Sequence, residues 1–290
     1  MIRYQFLRFP EGKCKAVTLS YDDGCEQDLR FSDIITKAGL KCTFNLNNNI
    51  LRNGRLSDED IKKYFLDRGH EIAIHGAKHS AQGYQRPIEG IKEVLNNRLE
   101  LEQRFDRIIR GMAYPDSGIV FYENGANYET IRTYLKDLDI AYARSLGSDN
   151  SAFRIPSDWH NWIPTAHHKN PNLMEFIEKF KNMDPSKGWH SSHSPRLFYL
   201  WGHSFEFDMD NNWDLLDEIC EKLGGLEDVW YATNIEIYDY VKAYQSLVHS
   251  ADGTMVYNPT LITVWFETDG KTYSVKPGET IRVDKWDGSI

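Results

Sequence analysis

Short apolar runs alternate with segments of helical period through most of the 290 residues, and that alternation limits the possible folds most sharply. Runs at 15–20, 41–46, 71–74, 108–114, 140–144, 196–200 and 229–233 read as strands. Segments at 26–38, 61–68, 87–105, 127–138, 172–182, 213–223 and 235–247 read as helices. Ser57-Asp58-Glu59-Asp60 offers a capping box to the second of these. Ile88, Ile91, Val94, Leu95, Leu99 and Leu101 predict the apolar stripe of the longest. Repeated strand–helix units predict an α/β architecture with a mostly parallel sheet. Polar, His and Asp residues gather just after successive strands, which favours a (β/α) barrel with its chemistry at the C-terminal strand ends. A doubly wound sheet is the alternative, although no GxGxxG follows the first strand to suggest a dinucleotide site. Beyond residue 247 the pattern changes to strand candidates at 261–267, 272–275 and 280–283. The expectation is a catalytic domain over 1–247 and a small antiparallel β extension over 248–290, docked against it.

Charge and cysteine usage narrow the function. The formal net charge is −9 and no concentrated basic face is visible, so a nucleic-acid partner is not expected. Cys14, Cys25, Cys42 and Cys220 form no CxxC pair and suggest isolated thiols rather than a disulfide framework. No window approaches 18 apolar residues, and the N-terminus lacks a secretory signal pattern. A cytoplasmic protein without a membrane partner is the expectation. Aromatics make up 13% of the chain, suiting either a large core or a carbohydrate cleft. The oligomeric state is left open.

Two short segments carry chemistry. Residues 18–24 read Thr-Leu-Ser-Tyr-Asp-Asp-Gly, and residues 75–79 read His-Gly-Ala-Lys-His. Each follows a predicted strand. Adjacent Asp residues on a strand point to opposite faces, but a turn at the strand end can aim both at one site. His75 and His79 do not form the helical HExxH of zinc peptidases, because residue 76 is Gly. One Asp and two His would hold a divalent metal and leave positions open for water and a carbonyl oxygen. Zn²⁺ is the leading expectation, with Co²⁺, Mn²⁺, Fe²⁺ or Ni²⁺ compatible with the same ligands.

These segments resemble motifs of the polysaccharide deacetylase family, the NodB-homology or carbohydrate esterase family 4 domains. Thr18–Gly24 is similar to the family's T-F-D-D-G segment, and His75–His79 to its H-S/T-x-x-H segment, with Gly76 in place of the hydroxyl residue. The resemblance implies a distorted (β/α) barrel, with Asp22 as general base and Asp23, His75 and His79 as metal ligands. Arg110-Gly-Met-Ala-Tyr-Pro115 resembles the third motif. It implies that Arg110 orients Asp22, that Tyr114 belongs to the site, and that backbone near Asp116 helps hold an oxyanion. The stretch 153–162 occupies the place of an Asp/Trp-rich wall; Asp158 would orient a catalytic histidine, and Trp159 or Trp162 would stack on a sugar. Leu200-Trp-Gly-His203 resembles the late motif, making His203 the general acid and Trp201 part of an acetyl pocket. Glu206 is a further orienting or substrate-binding candidate.

The implied activity is metal-dependent deacetylation of an N-acetylated sugar or oligosaccharide. An O-acetyl ester or another non-peptide C–N bond is the enzymatic alternative. A carbohydrate-binding protein that has lost catalysis is the non-enzymatic one.

Overall fold

A computed structural model describes residues 4–48, 56–187 and 193–284. The final residues of the expected extension, 285–290, lie outside the described residues. Among the described residues, eight parallel strands form one sheet. They are β2 (Lys15–Asp22), β3 (Cys42–Leu46), β4 (Glu71–Ile74), β5 (Gly111–Ala113), β6 (Tyr142–Arg144), β7 (Ala166–His167), β8 (Arg196–Gly202) and β9 (Val229–Tyr231). Their order is β6-β5-β4-β3-β2-β8-β7, with β9 beside the first half of β2.

One short segment nearly closes the ring. Trp162 makes a parallel bridge to Arg144 on β6, and four residues later β7 pairs with β8. The two edges of the sheet are thereby joined through residues 162–167, giving the distorted barrel. The strand predictions at 108–114 and 140–144 shorten to β5 and β6. The two-residue β7 is too short to leave an apolar run, and sequence reasoning missed it.

Each strand divides its side chains by the two-residue period. Val17, Leu19 and Tyr21 of β2, Cys42, Phe44 and Leu46 of β3, and Ile72 and Ile74 of β4 enter the main core with the helices. Toward the C-terminal ends of β2 and β3 the alternate residues Thr18, Ser20, Thr43 and Asn45 face inward and are polar, above a second apolar cluster that includes Ala16, Leu197 and Tyr199. Thr18 Oγ1 donates to Asn234 Oδ1, Asn45 Nδ2 to Ser20 Oγ, and Thr43 Oγ1 to Glu71 Oε2, at 2.8–2.9 Å. A polar lumen therefore runs beneath the C-terminal strand ends.

Helix α1 (Gln27–Lys37) follows β2, and α2 (Asp58–Tyr64) begins with the expected Ser57–Asp60 capping box. Helix α3 (Pro87–Phe105) is the longest, but the predicted stripe is only partly right. Ile88 and Leu99 are 50% and 54% exposed, whereas Glu93 and Asn97 are buried. Its inner face runs through Gly90, Glu93, Val94, Asn97, Leu101 and Phe105, at helical spacing. The two polar members are retained because their side chains serve the loop after β4, described below.

The final helix of the barrel, α4 (Asn234–Gln245), has a Thr233–Glu236 capping box. Beyond it lie two small antiparallel sheets. One joins β10 (Val248–His249), β11 (Met255–Tyr257) and β14 (Thr280–Arg282). The other joins β12 (Val264–Thr268) and β13 (Lys271–Val275) to β1 (Gln5–Arg8), far away in the chain. Their core of Val256, Val264, Phe266, Val275 and Val283 packs with Ala243 and Leu247 at the end of α4. Buried Arg8 pairs with Glu267 across the β1–β12 contact.

Candidate active site

The inward period of the strands ends in a constellation of charged groups. Asp22, the last residue of β2, shares its inward phase with Thr18 and Ser20. His75 continues the phase of Glu71 and Ala73, and Arg144 that of Tyr142. Asp23 takes the left-handed conformation (φ +78°), which turns its carboxylate to the same side as Asp22. His79 and Asp116 also have positive φ (60° and 52°). Such conformations are costly for residues with a Cβ and gather where geometry serves a site.

His75, His79 and Asp23 converge. His79 Nε2 lies 3.2 Å and His75 Nε2 3.7 Å from Asp23 Oδ1. Their donor atoms all fall within 4.8 Å of one another. The buried His75 Nδ1 lies 3.0 Å from Ala113 O, a carbonyl that can only accept. This fixes the proton on Nδ1 and presents the Nε2 lone pair to the cluster, as a ligating histidine requires. The main chain of His75 is also anchored, because its N–H donates to Asn97 Oδ1 at 2.8 Å. Burial lowers the His75 pKa, while the hydrogen bond to Asp23 raises that of His79. For Asp23, burial acts upward, but the His79 hydrogen bond and the charges of three histidines prevail and bring its pKa to about 2. An ionised carboxylate and two neutral imidazole nitrogens would suit a divalent metal.

Gly76 explains the departure within the second segment. Its φ is +80°, and an added Cβ would stand 3.0 Å from Glu93 Oε2 and 3.4 Å from Pro115 Cγ. That carboxylate accepts the Lys78 N–H at 2.9 Å. Glu93 thus supports the turn from α3.

Asp22 is buried beside this group. Asn45 Nδ2 donates to its Oδ1 at 2.8 Å, and Arg144 Nη2 donates to its Oδ2. His75 Nε2 and His203 Nε2 approach the same Oδ2 at 4.0 and 3.9 Å. The guanidinium on Asp22 therefore comes from Arg144, correcting the expectation for Arg110. Arg110 stands before β5, at the opposite end of the strands, and pairs with Asp239 at 2.8 Å. The signal for Arg144 was present: it is a cation at a predicted strand end in the inward phase.

His203 follows β8 and faces Asp22 from across the site. Its Nδ1 lies 3.3 Å and its backbone N 3.2 Å from Glu206 Oε2. Burial works against the charged imidazole, but the Glu206 contact and the Asp22 and Asp23 charges outweigh it and raise its pKa. His167 Nε2 and His168 Nε2 reach the same oxygen of Glu206 at 3.1 and 3.4 Å. Despite its burial, these histidines hold the Glu206 carboxyl well below the usual range. His167, His203 and Glu206 also have the spacing of a ligand set. Proton placement argues otherwise, because His167 Nδ1 accepts the Lys169 N–H at 3.1 Å and its Nε2 must then carry the proton. The second group is a proton-donating cage around a carboxylate.

Several aromatic and acidic expectations are corrected. Trp159 is buried edge-on against Trp162 and Tyr238, and Trp162 packs with Tyr142 and Tyr199. Neither offers a sugar platform. Asp158 caps the turn Trp159–Asn161 and accepts from Tyr128 Oη at 2.6 Å, with no contact to a site histidine. Arg110, Asp158 and Trp159 line a separate cavity of about 680 Å³ at the N-terminal strand ends. Trp159 is buried there, whereas Arg110 and Asp158 are half-buried. Tyr114 is buried and donates to His160 O at 2.8 Å, a structural bond. Trp201 lies at the site, with the Arg144 guanidinium 4.3 Å from its ring centroid and the His167 ring edge-on at 4.5 Å. Asp116 is exposed on the loop after β5, near enough for its charge to act on His79.

The chain's similarities agree with this arrangement. The polysaccharide deacetylase family model matches residues 10–143. No curated protein matches the chain. A protein from Mycobacterium smegmatis assigned as a polysaccharide deacetylase superposes with a TM-score of 0.58 at 16% identity, covering 84% of this chain and 96% of that one. A mutant of peptidoglycan deacetylase PdaC from Bacillus subtilis gives 0.52 at 14% identity, covering 82% and 96%. The Xyl-CE4 domain of a multidomain xylanase from the hindgut metagenome of Trinervitermes trinervoides gives 0.51 at 15% identity, covering 79% and 92%. At such identities the superpositions speak to the fold. The match spans the Asp22–Asp23 and His75–His79 segments, so within residues 10–143 the chain is similar to the polysaccharide deacetylase family.

Proposed function

We propose that the protein is a metal-dependent hydrolase that removes the acetyl group from an N-acetylated carbohydrate. The observation that carries this reading is the position of Asp22. It lies between the Arg144 guanidinium and the imidazoles of His75 and His203, immediately beside the Asp23–His75–His79 cluster.

Asp23, His75 and His79 would hold the ion, and their donor atoms fit it. When bound, a divalent ion polarises a carbonyl oxygen and makes nearby water more acidic. Asp22 accepts the proton of the attacking water, with Arg144 and Asn45 fixing its carboxylate. His203 donates from Nε2 to the departing sugar nitrogen, while Glu206 holds the other side of the ring. Acetate and an amino sugar result. An amine needs this proton more than an alcohol does, so the cage around His203 favours amide over ester cleavage.

The test is acetate release from N-acetylglucosamine oligomers and O-acetyl sugars by enzyme stripped with chelator and reloaded with Zn²⁺. Activity on the amide should vanish on stripping and return on loading. Asp22→Asn should retain bound zinc but lose about 10²–10⁴ in kcat, the span of general acid–base catalysis. Undiminished turnover by stripped enzyme would refute metal dependence. Undiminished turnover by the Asn variant would remove Asp22 as base.

A further inference from the structure

The parallel ladder between β2 and β8 ends at the pair Tyr21 and Gly202. Asp22 and His203 both lie just past that pair, with 3.9 Å between Oδ2 and Nε2. Their separation is therefore set by whatever ties together the two segments that leave the strands.

One buried carboxylate spans those segments. Asp28, in the first turn of α1, has no exposed surface. Its Oδ2 accepts the Cys25 N–H at 2.9 Å, and its Oδ1 accepts the Ser204 hydroxyl at 2.6 Å. Cys25 Sγ lies 3.0 Å from Ser204 Oγ. The serine proton is committed to Asp28, so the thiol donates to the serine oxygen. Cys25 is joined to Asp23 through Gly24, which has φ +68°. Ser204 directly follows His203 and is wholly buried. Toward the surface, Gln27 Nε2 makes an exposed bond to Asp208 Oδ2 at 2.8 Å between the same two segments.

Burying a carboxylate is costly, and an apolar side chain would fill the same space without that cost. Packing alone does not account for Asp28. A closed triangle of hydrogen bonds fixes direction as well as distance, which apolar contact does not. Asp28 itself makes no hydrogen bond or ion pair with Asp22, Asp23 or a site histidine among the described residues.

We propose that Asp28 is a positioning residue that, through Cys25 and Ser204, holds the acid His203 in register with the base Asp22. This rests on the deacetylase reading above. Loss of the triangle leaves the metal cluster in place but lets the acid drift from the departing group. The defect is therefore specific to leaving groups that need a proton.

The experiment uses zinc-loaded wild type, Ser204→Ala, Asp28→Ala and Asp28→Asn with two substrates. One is an N-acetylglucosamine oligomer, whose amine must be protonated as it leaves. The other is 4-nitrophenyl acetate, whose leaving group departs as the anion. Ser204→Ala should lose about 10²-fold in kcat on the amide but stay within about threefold on the ester. Asp28→Asn should recover most of what Asp28→Ala loses, since an amide can still bond both neighbours. Equal losses on both substrates, or none, would overturn the assignment. A parallel loss of zinc affinity in Ser204→Ala, read by competition with a chromophoric chelator, would move the effect to the metal and overturn it too. A readout independent of turnover is the native alkylation rate of Cys25, followed by peptide mass spectrometry with buried Cys42 as the internal reference. Breaking the triangle should raise it about tenfold or more in Ser204→Ala relative to Cys42. An unchanged rate would refute the clamp even in an active enzyme. If wild type turns over neither substrate while Cys25 responds as expected, the deacetylase reading fails and the clamp stands.

Discussion

At the level of single residues, Arg144 and Glu206 distinguish this site from its two short motifs. Arg144 is wholly buried and holds the carboxylate of Asp22, while Arg110 is partly exposed and pairs with Asp239. Arg144→Ala should therefore reduce kcat by about 10²-fold or more through misplacement of the base. Arg110→Ala should leave kcat within about twofold, since exposed ion pairs contribute little. Steady-state kinetics on both variants checks the contrast. Contact with Glu206 helps raise the His203 pKa, so neutralising that carboxylate should lower it. In the proposed mechanism His203 must be protonated to act as the acid, so activity should fall as pH rises through that pKa. In Glu206→Gln the alkaline limb of kcat should move to lower pH; an unmoved limb would separate Glu206 from the acid. The sequence displayed Asp22, Asp23, His75 and His79 because neighbouring motifs bring them together within a few strand ends. It marked Arg144 only as one cation at a predicted strand end, and barrel closure decides which such cation reaches Asp22.

Helix α3 shows why the elements themselves were harder to read. Apolar periodicity located the helix but assigned Ile88 and Leu99 to its inner face, although both are exposed. The face instead turns toward Glu93 and Asn97, which fasten Lys78 and His75. Polar residues on a buried stripe look like gaps in a hydrophobic pattern, yet here they are the reason for its orientation. Asn97 also donates to Asn48 Oδ1 at 2.7 Å and so links the loops after β3 and β4. Asn97→Ala should weaken zinc affinity by about 10–100-fold, the range for groups supporting metal ligands. Competition with a chromophoric chelator measures this directly. The strand phases were more legible: Asp22, His75 and Arg144 lie on the inward period of strands whose alternate residues build the core. Trp159 misled because an aromatic-rich stretch gives no indication of which end of the barrel it packs against.

Across the whole molecule, buried carboxyls oppose one another in their response to pH. Asp28 and Glu71 are driven by burial to pKa values of about 7. Their folded values exceed those of unfolded carboxyls, so they favour folding at low pH and lose that contribution as pH rises toward about 7. Asp23, at about 2, acts in reverse: its contribution is present above the ordinary carboxylate range and fades as acid approaches its own value. Metal-free protein should therefore be most stable in mildly acidic solution. Asp28→Asn should flatten the fall in Tm between about pH 4 and pH 7, as read by calorimetry. The barrel was legible from repeated strand–helix units, but its closure through residues 162–167 was not, because a single bridge and a two-residue strand leave no periodic signal. Nor was the pairing of β1 with β12, which depends on contacts between opposite ends of the described chain. That pairing imposes an order on biosynthesis. Glu267 emerges from the ribosome 259 residues after Arg8, its buried ionic partner. At roughly 5–20 residues per second, Gln5–Arg8 waits about 13–50 s for β12, so a nascent chain carries an unpaired strand and an uncompensated arginine while the barrel is assembling.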